Sequence, residues 1–275
     1  MKALISVDLE GISGIVHSSE TNPDRYDYER GRALMTAEAN AAIAGVFDAE
    51  PAAVVWVADA HGTFRNLLPE DLDRRAHLVR GKPRPLGMLA GLDEQTDAVL
   101  FIGYHARAGA GPAVLAHTIS DAILDVRVAG RSLGEIGLNA AMAGHLGVPV
   151  VLLSGDDTAC AEFSELAPSA VTVAVKQTLG QAAAVALHPQ EARERLRRAA
   201  ADAVTRRASI PAPKLTGPVD VEVDLYGPYM VDLALLVPGV SRLAGGRTVA
   251  FRAADIAEAY RLVHLLVHLA SVKPG

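Results

Sequence analysis

Short apolar runs alternating with helix-spaced stretches constrain this chain more than any other feature. Residues 2–8, Ala52–Ala58, Ala98–Ile102 and Pro149–Ser154 are strand-length and rich in Val, Ile, Leu and Ala. Runs that stay apolar throughout fit strands covered on both faces, as in a parallel sheet. Between them, Tyr28–Phe47 carries Ala, Leu, Met and Ile at helical spacing, and Glu135 opens a second helical stretch ending near His145. Strands alternating with helices over the first two-thirds of the chain predict an α/β protein, a largely parallel sheet flanked by helices. Val171–Val175 adds a strand. Residues 181–207 read as helical, broken in two at His188-Pro189. Ile123–Val128 alternates and meets a turn signal at Ala129-Gly130-Arg131, which predicts a hairpin or an antiparallel edge.

The proline-rich stretch 210–218 is the linker candidate. Beyond it Val219–Leu225 alternates as a half-exposed strand does, Arg247–Arg252 supplies a partner strand, and Ala253–Leu269 a closing helix. The expected division is a main α/β domain over 1–210 and a smaller C-terminal α+β domain or extension over 211–275.

Composition narrows the function. The 275 residues carry a net charge of -6 with no basic cluster, which argues against nucleic acid as a partner. No apolar stretch approaches the length needed to cross a bilayer, so no membrane partner is expected. The apolar run before Asp8 is too short for a secretory leader. Cys160 is the single cysteine, which excludes an intrachain disulfide and fits a reducing, cytoplasmic setting.

The strand ends carry the chemistry. The first run ends in Asp8 and Glu10, the second in His61, the third in His105. In an extended backbone residues i and i+2 point the same way, so Asp8 and Glu10 aim at one spot, where two anions need a proton or a cation between them. In open α/β sheets, sites lie past the carboxyl ends of the strands, so these side chains are expected to converge. Glu135, where the hairpin feeds a helix, adds a third carboxylate. Three carboxylates and two imidazoles exceed the needs of one tetrahedral zinc and fit two metals sharing a carboxylate. His117, across a glycine-rich loop from His105, reaches the same cleft as a proton donor or caps the next strand.

Other residues carry less. Asp156 and Asp157 read as helix N-caps or as partners for a substrate amine. Lys176 reads as a partner for a substrate carboxylate or as a solvated lysine. Asn139 is expected to support the ligands, and Arg65 and Asn66 to shape the His61 loop. His264 and His268 have metal-compatible spacing, but the glutamate of H-E-x-x-H is missing and their flanks are leucine, which argues against a site. Cys160 reads as a small core residue. Gly11-Ile12-Ser13-Gly14 is not a nucleophile elbow, Gly109-Ala110-Gly111 lacks the last glycine of a dinucleotide fingerprint, and there is no P-loop.

The blocks SVDLEGISGI, VADAHGTFRNL, FIGYHARAG, LAHTISD, GEIGLNAAMAGHLGVPVVLLSGDD and VKQTLGQAA span roughly residues 4–186. In this order and spacing the chain resembles the zinc-dependent D-aminopeptidases of the DppA type, with a weaker likeness beyond Pro211. The resemblance implies two zinc ions per subunit. Their ligands match Asp8, Glu10, His61, His105 and Glu135, with Asp8 as the bridge, and a catalytic, non-ligating histidine matches His117. It also implies a two-domain α/β fold assembled as a homodecamer around a central channel. The expected activity is a metal-dependent aminopeptidase that hydrolyses short peptides such as D-Ala-D-Ala, using a hydroxide that bridges the metals. A binuclear amidase or phosphoesterase is the alternative, and a binding protein with a structural metal is a third reading. Arg107 is the nearest cation to the motifs, and a phosphate site would need more.

Overall fold

The computed structural model describes residues 1–272. The chain builds two sheets. The first forms from β1 (Lys2–Val7), β2 (Val54–Asp59), β3 (His77–Val79), β4 (Ala98–Tyr104), β7 (Val150–Asp156), β8 (Val171–Gly180) and β9 (Ala183–Ala186), in the order β3-β2-β1-β4-β7-β8-β9. All its pairings are parallel except β8 with β9. The second sheet holds β5 (Ile123–Val128), β6 (Arg131–Ser132), β10 (Val219–Leu225), β11 (Ser241–Arg242) and β12 (Thr248–Ala253), in the order β11-β12-β10-β5-β6, antiparallel throughout. This is the α/β architecture expected, a mostly parallel sheet with helices against it.

Strand parity explains the layers. Ala3, Ile5 and Val7 of β1 face α1 (Tyr28–Ala49) and α4 (Pro189–Thr205), meeting Met35, Ile43 and Leu196 in one buried cluster. Leu4 faces the other way, into a cluster that continues through α2 (Glu135–His145), α3 (Asp157–Leu166) and α6 (Ile256–Ala270) to the second sheet. Ser6 shares that side, bonded to Tyr104 at 2.8 Å, and the same parity carries Asp8 past the strand end onto it. The second sheet alternates as read. Val219, Val221, Val223 and Leu225 are buried, and on the opposite face Arg127 bonds Glu222 at 2.9 Å and Asp224 at 2.7 Å. Those carboxylates push the Arg127 guanidinium pKa up.

Three elements differ from expectation or were not foreseen. Residues 183–186 form the edge strand β9, not a helix, because the backbone pairs with β8 and Leu187 donates to the Val175 carbonyl at 3.0 Å. Alanines have little strand preference of their own, and this pairing is a tertiary effect. Pro189 opens α4 instead of interrupting a longer helix, in the first-turn position where its missing N–H costs nothing. The short helix α5 (Pro228–Ala234) had no clear signal. The second sheet draws β5 and β6 from before the 210–218 linker and β10, β11 and β12 from after it. Of the 211–275 stretch, positions 273–275 lie outside the described residues.

Candidate metal centre

The strand ends converge. Asp8 follows β1, and its main-chain N–H donates to Ile102 of β4 at 2.8 Å. Gly11 then passes against the end of β4, donating to the Gly103 carbonyl at 2.7 Å. A Cβ on Gly11 would stand 2.0 Å from the Tyr104 carbonyl oxygen, so only glycine allows this approach. Beyond β2, Asp59 clamps the His61 loop by accepting from the Leu67 and Asn66 main-chain N–H groups at 2.7 and 2.5 Å and from the Asn66 amide at 2.7 Å. The Asn66 amide also donates to the His61 carbonyl at 2.6 Å. Asn66 shapes the loop as expected.

The six residues picked out by sequence meet in one cluster, with Asp8, Glu10, His105 and Glu135 buried and His61 and His117 partly exposed. His61 Nδ1 lies 3.2 Å from Asp8 Oδ1 and 2.9 Å from Glu10 Oε2. His105 Nε2 lies 3.5 Å from Asp8 Oδ2 and 3.4 Å from Glu135 Oε1. His117 Nε2 is 3.8 Å from that same Glu135 oxygen, and its ring stacks on His105 with centroids 4.0 Å apart. Glu135 stands at the start of α2, held by the Ile119 N–H at 2.6 Å.

Each imidazole spends one nitrogen on a main-chain carbonyl. His61 Nε2 donates to Thr21 at 2.8 Å, His105 Nδ1 to Ala106 at 3.0 Å, and His117 Nδ1 to Leu115 at 2.8 Å. This fixes the tautomer and turns the other nitrogen toward the carboxylates, the arrangement that supports metal-ligating histidines. His105 Nε2 is buried without a hydrogen-bond partner. A nitrogen lone pair aimed at carboxylate oxygens needs a cation between them, and this mixed N and O donor set suits zinc. Donor atoms close enough to share an ion come from Asp8, Glu10 and His105, and from His105, His117 and Glu135.

Protons reveal the same demand for positive charge. Burial raises the Asp8 carboxyl to about 7, and neighbouring Glu10 pushes the same way. Burial disfavours charge on His105, yet Glu135 and Asp8 outweigh it and lift the imidazole to about 10. His61 rises well above its ordinary value against burial, through Glu10 and Asp8. Burial opposes ionisation of Glu135, but His105 and the Ile119 N–H bring it down to about 2.

Lys176 takes neither of its expected roles. It is 2% exposed, and its Nζ donates to the carbonyls of Glu10, Ile12 and Ile15 at 2.5, 3.1 and 2.6 Å. It braces the loop that carries Glu10, with burial lowering its pKa to about 8. Asp156 caps α3, accepting from Ala159 at 2.7 Å. Asn139 hydrogen-bonds none of the candidate ligands, contrary to expectation; its side chain donates to Tyr104 at 3.2 Å and accepts from Tyr260 at 2.8 Å. Cys160 is buried. The Thr21 carbonyl went unforeseen because a main-chain acceptor leaves no side-chain signature.

Asp8, His61, His117 and Glu135 open onto a cavity of about 600 Å³, of which α6 and the loop 82–88 form another wall. His264 and His268 sit on that wall. The His268 ring donates to the His264 carbonyl at 2.7 Å.

The chain is similar to known proteins over nearly its whole length. A family model described as D-aminopeptidase matches residues 1–265. A D-aminopeptidase of Bacillus subtilis is 38% identical over 274 residues, covering 98% of each chain. The solved structure of the Zn-dependent D-aminopeptidase DppA from Bacillus subtilis, described as a self-compartmentalizing protease, matches with a TM-score of 0.96 at 35% identity over 100% of both chains. Sequence blocks, fold and comparisons agree, and the chain belongs to the D-aminopeptidase family.

Proposed function

We propose that this protein is a cytoplasmic zinc-dependent aminopeptidase that releases the N-terminal residue of short D-peptides such as D-Ala-D-Ala, at a centre holding two zinc ions. One observation carries the pair of metals. The two oxygens of Asp8 face different imidazoles, Oδ1 toward His61 and Oδ2 toward His105. Asp8 Oδ1, Glu10 and His61 would hold one ion, and Asp8 Oδ2, His105 and Glu135 the other. When bound, zinc supplies a Lewis acid for the scissile carbonyl and a water acidic enough to attack near neutral pH.

The chain's own residues do the rest. His117 is partly exposed on the cavity wall, with Nδ1 occupied by Leu115 and Nε2 facing inward. It is placed to hold a proton at Nε2 and pass it to the leaving amine. Leu115 and Ile119, on either side, have φ of 52° and 63°. This costly backbone is held by the Leu115 N–H to the Gln181 carbonyl and the Ile119 N–H to Glu135. Phe64, Leu86 and Ile119 give the cavity apolar walls against bulk water.

In this reading residues 1–210 carry the metal ligands, and 211–275 supply part of the cleft and a surface for assembly into a homodecamer. The description of the Bacillus subtilis relative as self-compartmentalizing supports assembly. So do Tyr226 and Leu236, 64% and 76% exposed on that stretch. The test is amine release from D-Ala-D-Ala and L-Ala-L-Ala by zinc-loaded protein. Cleavage of the D-isomer alone, lost on chelation and restored by zinc, is expected. No cleavage of either isomer by fully loaded protein overturns the peptidase reading and leaves a binuclear amidase or phosphoesterase.

A further inference from the structure

The cavity is lined by charges of both signs. The carboxylates of Asp8 and Glu135 line it, and so do Lys82, Arg84, Arg261, His264 and His268. The three from α6 recur at helical spacing, at 261, 264 and 268, so they form one stripe along the face toward the cavity. Arg84 is committed elsewhere. Its guanidinium donates to the carbonyls of Gly87, Val79 and Asp59 at 2.9, 3.0 and 2.5 Å and lies over the Phe64 ring. His264 is packed against Tyr260, and burial lowers its pKa to about 4, so it is neutral at pH 7. His268 spends its Nδ1 on the His264 carbonyl, which leaves Lys82 and Arg261. Neither makes a hydrogen bond or ion pair among the described residues, and both are exposed at the mouth. Lys82 Nζ stands 5.6 Å from the centre of the Phe64 ring, on the inner wall.

We infer that Lys82 and Arg261 form a subsite for the free C-terminal carboxylate of the substrate. The inference rests on the aminopeptidase reading and adds a substrate class to it, short zwitterionic peptides with an uncapped carboxyl end. Such a peptide meets these two cations with its carboxylate, and their charge steers it in. A C-terminal amide or a long chain leaves the two cations unpaired. The lengths and flexibility of both side chains let the subsite follow peptides of slightly different reach.

The experiment compares kcat/KM for D-Ala-D-Ala and its C-terminal amide on zinc-loaded protein. Wild type is expected to favour the free acid by ~10–100-fold, the range of one or two charge-assisted hydrogen bonds. The Lys82→Gln/Arg261→Gln double variant should bring the pair to near parity by raising KM for the acid with kcat unchanged, since the lost contact is remote from the reacting bond. Lys82→Arg should keep the preference. Both positions are exposed, so the fold survives. Equal cleavage of acid and amide by wild type, or an undiminished preference in the double variant, overturns the subsite. If loaded protein cleaves neither compound, the aminopeptidase reading fails separately. The subsite is then judged by calorimetric binding of the reduced-amide isosteres of the same two compounds, equal affinities again overturning it.

Discussion

Asp8 and Glu10 have the same chemistry but different neighbours. Asp8 faces both His61 and His105, and Glu10 approaches only His61 at hydrogen-bond distance. Replacing Asp8 with Asn should therefore lose both zinc ions, whereas Glu10→Gln should lose one and keep the other. Zinc per subunit after gel filtration, read by plasma emission spectroscopy, separates the two outcomes. His117→Ala should lower kcat by ~10²–10⁴-fold, the usual contribution of a positioned acid, with zinc content unchanged. Loss of zinc from that variant would make His117 a ligand beside His105 and Glu135. Asp8, Glu10, His61 and His105 were legible in the sequence because strand ends turn linear spacing into direction, whereas the role of His117 came from the family resemblance. Lys176 was not legible, since its partners are carbonyl oxygens, which every residue has, and only the folded path of residues 10–15 brings them together.

Among the elements, α1 and β8 brace that same loop from two sides. Glu38 of α1 accepts the Ser13 N–H at 2.8 Å, and burial raises its carboxyl from 4.5 to about 7. The folded chain thus keeps a proton between about 4.5 and 7 that the unfolded chain has released, so this group's effect on stability worsens as pH rises through that window. Glu38→Gln removes the titration. Relative to the variant, wild type should lose about 3 kcal/mol between pH 4.5 and pH 8, as measured by urea unfolding. A constant difference would show that Glu38 ionises normally. At this scale the buried strands were readable because they are apolar on both faces, and the β10 strand because it alternates. The edge strand β9 was not, because an alanine-rich segment takes its conformation from the neighbour it pairs with.

For the whole molecule, the proposed ligands follow β1, β2 and β4 and open α2, so bound zinc would tie together elements far apart in sequence. Chelation should lower the melting temperature by an amount that grows with the free zinc in the reference sample, because the ion binds only the folded chain. Scanning calorimetry across a zinc series checks this, and a flat response would mean that the ions contribute no linkage. Assembly has its own test. Leu236→Asp, on the exposed stretch after α5, should reduce the mass seen by light scattering while a subunit keeps its circular dichroism. An unchanged mass would move the interface elsewhere.

The second sheet has a consequence for how the chain is made. Its hairpin β5–β6 leaves the ribosome long before β10, the strand it pairs with. A lone two-stranded ribbon is at best marginal in water, so the hairpin must wait, and closing so long a loop is slow. Glu135 begins the helix directly after that hairpin, and the last helix, α6, walls the cleft. All five proposed ligands have therefore been synthesised while the cleft still lacks a wall. The growing chain acquires the proposed metal ligands well before α6 can help to enclose a peptide.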